Sequence, residues 1–173
     1  MHDASARQVT QERGCGGLLG LLGASAPAAP SLKVGDQPPP RLGWNVNLND
    51  YRGKIVIVSF WASRCSPCRK ELGVLASIHK QATRDKVVVF SVNWQESVER
   101  FRELKRALKD VDLTLISDDR GYWGKQYGVR AIPHMVIIGR DGRMAAIHVG
   151  YGEGEFPVLA QEINSLWNRT PDP

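Results

Sequence analysis

The chain has 173 residues, 42% hydrophobic and 24% charged, with a formal net charge of +5. This is enough chain for about one domain with a real core, and the composition is ordinary for a globular protein. The basic residues are scattered and mostly interleaved with acids, and no nucleic-acid motif accompanies them, which argues against a nucleic-acid partner. The first 40 residues differ from the rest. Arg7 and Arg13 precede a glycine-rich apolar stretch, Gly14 to Ala24, and small residues follow at Ser25 to Pro30, in the outline of an export signal. The stretch is short and sits late, after Asp3 and Glu12, so a disordered leader explains it equally well. Cys15 follows Glu12-Arg13-Gly14, unlike a lipoprotein processing site, and reads as incidental. Gly35 to Pro40 reads as a stiff linker.

The domain spans residues 41–169, with a tail at 170–173. It opens with a short strand near Trp44 to Leu48 and a turn at Asn49 to Gly53. Lys54 to Trp61 is a nearly continuous apolar run, the pattern of a central strand covered on both faces. Leu72, Leu75, Ala76, His79 and Ala82 recur at helical spacing, which predicts a helix over about 67–83 with one buried face. Lys86 to Val92 is a second apolar strand. A helix separates the two strands, so they pair in parallel through a right-handed crossover. Val98, Phe101, Leu104 and Leu108 mark another helix, over 97–110. Leu113 to Ile116 is a short strand, and Tyr122 to Tyr127 a short helix ended by Gly128. Arg140-Asp141-Gly142 predicts a hairpin between antiparallel strands at 135–138 and 144–149. Phe156, Leu159, Ile163, Leu166 and Trp167 form the apolar stripe of a closing helix.

At the seam between the first apolar strand and its helix stands Phe60-Trp61-Ala62-Ser63-Arg64-Cys65-Ser66-Pro67-Cys68. A cysteine pair spaced this way reads as a dithiol/disulfide redox centre. Cys65 falls at the helix N-terminus, where unpaired N–H groups and the positive end of the dipole favour a thiolate, so it is the expected nucleophile. Cys68 lies about one turn inward and suits a resolving thiol. Pro67 fits the first turn, where its missing N–H costs little. Arg64 beside Cys65 is expected to favour the thiolate further, unless it is simply an exposed, screened charge.

These residues resemble the thioredoxin superfamily. Leu48 to Lys54, Ser91-Val92-Asn93-Trp94-Gln95-Glu96 and Tyr127 to Pro133 narrow the likeness to the TlpA/ResA/CcmG-like branch of exported, often membrane-tethered thiol-disulfide oxidoreductases. The resemblance covers roughly residues 41–169. One departure stands out: Arg64 occupies the place where this branch usually carries tryptophan. The resemblance implies an α/β thioredoxin-like fold, a central mixed β-sheet flanked by helices, in which the 98–116 region is a TlpA-type inserted helix and strand. It implies a cis bond between Ile132 and Pro133 lying against Cys65, with a substrate peptide running past Trp61, Arg64, Ser66, Pro67 and Ile132. Thioredoxin's buried aspartate is replaced by Ser59, which cannot act as a base. This branch carries a glutamate just after the second strand, and Glu96 falls there, as the expected proton acceptor for Cys68 or as an acid at the start of a helix.

The expected activity is therefore reduction or exchange of disulfides in exported proteins, for example in cytochrome c or copper-oxidase maturation, in a periplasmic or otherwise extracytoplasmic setting, the cytoplasm being the alternative. The expected partners are protein thiol or disulfide substrates and an upstream electron donor; the N-terminal segment is a candidate membrane tether, and the chain is expected to be a monomer. No cofactor or metal is expected beyond the Cys65/Cys68 couple. The rival is a Cu(I)-binding module using Cys65, Cys68 and a histidine such as His134. Zinc would need a second close-spaced ligand couple. Peroxidase chemistry lacks the threonine or serine at the place of Ala62, and His79 reads as a core histidine.

Overall fold

The computed structural model describes residues 32–152 and 154–169. The leader features, Arg7, Arg13 and Cys15 among them, the 170–173 tail and the side chain of Phe156 lie outside this description. Among the described residues, seven strands and four α-helices run in the order β1 (Arg41–Leu42), β2 (Val46–Asn47), β3 (Ile55–Trp61), α1 (Ser66–Gln81), β4 (Val87–Trp94), α2 (Val98–Ala107), β5 (Thr114–Asp118), α3 (Tyr122–Gln126), β6 (His134–Ile138), β7 (Met144–Val149) and α4 (Glu155–Asn168).

All seven residues of β3 are buried, and the strand lies at the centre of a five-stranded sheet of order β5-β4-β3-β6-β7. Pairing is parallel for β3/β4 and β4/β5, and antiparallel for β3/β6 and β6/β7. The sheet is thus mixed, and the crossover between β3 and β4 is α1. Alternate residues of β3 feed opposite faces, as the two-residue period of a strand requires. Ile55 and Ile57 pack with Leu75 and Ile78 of α1 and with Leu159 and Ile163 of α4. Val56, Val58 and Phe60 pack with Leu42, Leu48, Trp123 and Tyr127. Each such side chain contributes ~1.5–3 kcal/mol through burial, and together they fix the end of β3 from which the chain turns into the cysteines of α1.

Several boundaries differ from the sequence expectation. Instead of one strand near Trp44, β1 and β2 form a small separate hairpin with Trp44 near its tip, and Leu48–Tyr51 continues as a 3-10 turn capped by the Asn47 side chain. The segment read as a linker is part of the domain: Gly35 N–H donates to the Met144 carbonyl at 2.8 Å, and Met144 N–H to the Asp36 carbonyl at 2.9 Å. On α1, Ile78 is buried while Ala76 is only half-buried, and the helix ends at Gln81. The cap of α2 is Ser97, whose hydroxyl accepts from Arg100 N–H at 3.2 Å, so Glu96 is released from a capping role. No residue of α2 is fully buried.

Candidate active site

Cys65 and Cys68 form a disulfide, with an S–S distance of 2.03 Å and Cα atoms 5.3 Å apart. Cys65 is the N-cap residue of α1, and its Sγ accepts the Cys68 backbone N–H at 3.2 Å. The sulfur therefore occupies the place usually taken by a capping oxygen, where orphan N–H groups converge and the helix dipole is positive. That environment stabilises an anion on Cys65 once the bridge opens. Cys65 is half-buried, whereas Cys68 is 1% exposed beside Trp61 and Leu72. One sulfur can be approached from outside and the other only from within. Opposite them, the Ile132–Pro133 bond is cis, and the Ile132 carbonyl oxygen lies 3.8 Å from Cys65 Sγ. Ser66 and Pro67 are exposed on the first turn of α1.

The turn leading into Cys65 is held by Glu96. Its carboxylate accepts Ser63 N–H at 2.8 Å, Ser63 Oγ–H at 2.6 Å and Asn93 Nδ2–H at 2.6 Å. Arg64 lies 3.9 Å from the same carboxylate and donates to the Gln95 carbonyl at 3.2 Å. Burial alone would push the Glu96 carboxyl up, but these hydrogen bonds and the Arg64 charge outweigh it and hold it below its ordinary value. A proton acceptor for a thiol needs the opposite shift, so the environment of Glu96 is that of an anchor. Arg69 donates to the Ser63 carbonyl at 2.7 Å and Arg100 to Ser63 Oγ at 3.2 Å, which makes Ser63 the hub of the turn. The Arg64 side chain is 51% exposed and its guanidinium is engaged with Gln95 and Glu96.

A second carboxyl, not anticipated from the sequence, lies on the buried face of α1. Glu71 is 2% exposed and accepts a hydrogen bond from Ser59 Oγ at 2.5 Å. It stands three residues after Cys68, a spacing that puts both on one helix face. Ser59, which stands where thioredoxin has its buried aspartate, thus holds this carboxyl from β3. The available signal was the place of Glu71 inside the stripe Cys68, Leu72, Leu75, Ile78, His79; its charge and its neighbours Arg69 and Lys70 made it look like solvent-facing surface.

Trp61, expected along the substrate path, is 2% exposed and packs with Cys68 and Leu72. As the last residue of β3, covered by Cys68 and Leu72 of α1, it is closed to solvent. His134, the candidate copper ligand, is buried edge-on against Phe60 with its Nε2 unpartnered, and burial lowers its pKa. Among the described residues no three His, Cys, Asp or Glu side chains converge as a metal group would need. His79 is buried, with Nδ1 on the Asp112 carbonyl.

A mixed sheet whose central strand leads into a helix that begins with a cysteine pair, one sulfur capping that helix, and a facing cis-proline loop define a thioredoxin-like dithiol/disulfide protein. The profile of the AhpC/TSA family matches residues 26–147. The chain belongs to that family. It is 35% identical over 111 residues to the thioredoxin-like protein YneN of Bacillus subtilis, covering 62% of this chain and 64% of the relative. It is 28% identical to the thiol:disulfide interchange protein HelX of Rhodobacter capsulatus, covering 88% of this chain and 80% of HelX. Among solved structures, a Chlorobium tepidum protein assigned the name thiol:disulfide interchange protein DsbE superposes with a TM-score of 0.71 at 28% identity, over 80% of this chain and 100% of that one. The chain thus spans just under two thirds of YneN and four fifths of HelX. HelX and the Chlorobium tepidum protein are named for thiol:disulfide interchange, the class expected from Cys65 and Cys68.

Proposed function

We propose that the chain is a thiol-disulfide oxidoreductase that reduces or exchanges disulfides in exported proteins. The observation that carries this reading is the Cys65–Cys68 bridge at the N-terminus of α1, with one sulfur accessible and the other buried. In the reduced protein the Cys65 thiolate attacks one sulfur of a substrate disulfide. An S–S bond to Cys65 forms, the substrate S–S bond breaks, and the displaced sulfur leaves as a thiolate. Cys68 then gives up its proton and attacks Cys65 Sγ, closing the protein bridge and releasing the second substrate thiolate. Two electrons have passed to the substrate, and an upstream dithiol restores the protein by the reverse steps.

Glu71 is assigned as the acceptor of the Cys68 proton, because it shares the buried face of α1 with Cys68, whereas Glu96 is held ionised by three hydrogen bonds. Glu96 and Arg64 shape the turn that presents Cys65. The Ile132 carbonyl and its loop are the edge on which an extended substrate segment docks in β-fashion. The reductive direction, an extracytoplasmic setting, and substrates such as apocytochrome c thiols or copper-site cysteines of an oxidase follow the branch that the sequence resembles. Turnover of a disulfide-bonded protein by the dithiol-reduced chain tests the reading: wild type reduces it, Cys65→Ser does not, and Cys68→Ser stalls as a mixed disulfide that names the partner. Equal rates for wild type and Cys65→Ser would remove the proposal.

A further inference from the structure

Between α1 and α2 lies a groove of about 340 Å³, walled by Trp61, Leu72, Leu104, Leu108 and Leu115. That volume is at the lower end of the range for ligand sites, roughly 300–1,000 Å³, and suits one large side chain better than a cofactor. It is continuous with the reactive centre. Trp61, Leu72 and Cys68 form one buried cluster, and Cys65, Ile132, Leu104 and Leu108 pack against it. Ser63 and Arg69, which are joined by a hydrogen bond in the turn before Cys65, also line the groove.

Two features keep the groove open. The helix α2 leaves all its residues at least partly exposed, so its apolar positions are incompletely covered by the rest of the chain. On the other wall, Gly73 sits within α1 with no left-handed φ, and a Cβ built there would meet nothing within 4 Å. Neither backbone conformation nor crowding requires glycine at that place, and glycine inside a helix is less stable than alanine. Its effect is to leave room beside Leu72.

We propose that this groove holds an apolar side chain of the polypeptide whose disulfide is exchanged at Cys65, an inference that rests on the oxidoreductase reading above. The occupant follows from the continuity: the polypeptide bonded to Cys65 is the molecule brought to this end of the sheet, and a residue near its cysteine reaches an apolar wall that begins at Cys68. The groove thereby selects substrates with a leucine-like or aromatic neighbour to the reacting cysteine.

The test uses two peptides, each closed by one disulfide and identical except for leucine or serine beside one cysteine, with the dithiol-reduced protein. Hydroxyethyl disulfide, which has no side chain to place, reports the exchange chemistry alone. In wild type, kcat/KM for the leucine peptide should exceed that for the serine peptide by about tenfold or more, the gain from burying one such side chain. Gly73→Phe, which fills the groove, should bring that ratio close to one, and Ala76→Leu on the same wall should lower it independently if Gly73→Phe fails to fold. A ratio near one in wild type, or an undiminished ratio in both filled variants, overturns the groove while leaving hydroxyethyl disulfide turnover intact. A wild type inert to hydroxyethyl disulfide overturns the exchange reading itself, and the groove proposal with it. A wild-type dimer abolished by Gly73→Phe, with no peptide preference, would assign the groove to a second copy and contradict the proposal.

Discussion

Glu96→Gln separates an anchoring carboxylate from a proton acceptor. In the native protein the Glu96 carboxylate takes three hydrogen bonds, of 2.8, 2.6 and 2.6 Å, and is 9% exposed. Glutamine can keep its carbonyl oxygen on Ser63 N–H and Asn93 Nδ2–H and turn its amide toward Ser63 Oγ, so the geometry survives and the charge is lost. Hydrogen bonds to charged groups contribute about 1.5–3 kcal/mol against roughly 0.5–1.5 for neutral ones. The contact with half-exposed Arg64 adds at most ~1 kcal/mol and is screened. The bonds share one carboxylate and are not additive, so the expected loss is about 2 kcal/mol near neutral pH. The sign with pH follows from the direction of the shift. A carboxyl whose pKa is lowered on folding stabilises above its unfolded value, near 4.5, and that contribution is lost as pH falls through the lower folded value. Urea unfolding followed by tryptophan fluorescence should therefore show Glu96→Gln less stable at pH 7, with the gap closing toward pH 3. The rate at which Cys68 resolves a mixed disulfide should keep its wild-type pH profile. A variant as stable as wild type at pH 7, or a resolution rate that loses its pH dependence, would refute the anchor assignment.

Glu71→Gln should slow resolution of the Cys65 mixed disulfide by about 100-fold or more near neutral pH, the usual range for a lost general base. The deficit should shrink as alkaline pH ionises Cys68 directly; rapid-quench alkylation and mass analysis read both. Ser59→Ala should lower the same rate by less, because it releases the Glu71 carboxyl without removing it. Arg64→Trp should raise the Cys65 thiol pKa by under about 0.7 unit, since an exposed charge pair is worth at most ~1 kcal/mol and one unit is 1.36 kcal/mol. Ultraviolet thiolate absorbance measures it, and a larger rise would show that the guanidinium turns to the thiolate in the reduced protein. Leu75→Ala, at a fully buried position between α1 and the sheet, should cost 2–5 kcal/mol in urea unfolding, by the usual range for such truncations.

What the sequence revealed is what local pattern controls. The apolar runs of β3 and β4, the helical stripe of α1, the Arg140-Asp141-Gly142 turn and the cysteine pair at the strand–helix seam were all legible, because each depends on residues close in the chain. Glu71 was not legible. Its burial depends on Ser59, twelve residues away on β3, and a glutamate following Arg69 and Lys70 has the look of a solvated helix face. The attachment of residues 33–36 beside β7 was hidden for the same reason: it consists of backbone bonds to Met144 and an Arg143 side-chain bond to the Gly35 carbonyl, which no local pattern announces. Gln95 adopts a left-handed φ of 53° without being glycine, asparagine or aspartate, so nothing in its identity marks the turn whose carbonyl receives Arg64. The electrostatic character of Glu96 comes from Ser63 and Asn93, partners that only the fold brings together.

The most direct measurement is a redox titration of the chain in buffers of graded dithiothreitol ratio, quenched with an alkylating agent and read by mass. A redox-active Cys65–Cys68 couple predicts a single two-electron transition in which the two residues gain two alkyl groups together on reduction and carry none when oxidised. Two alkyl groups on these residues at every ratio, with no bridged form even under the most oxidising buffer, would contradict it.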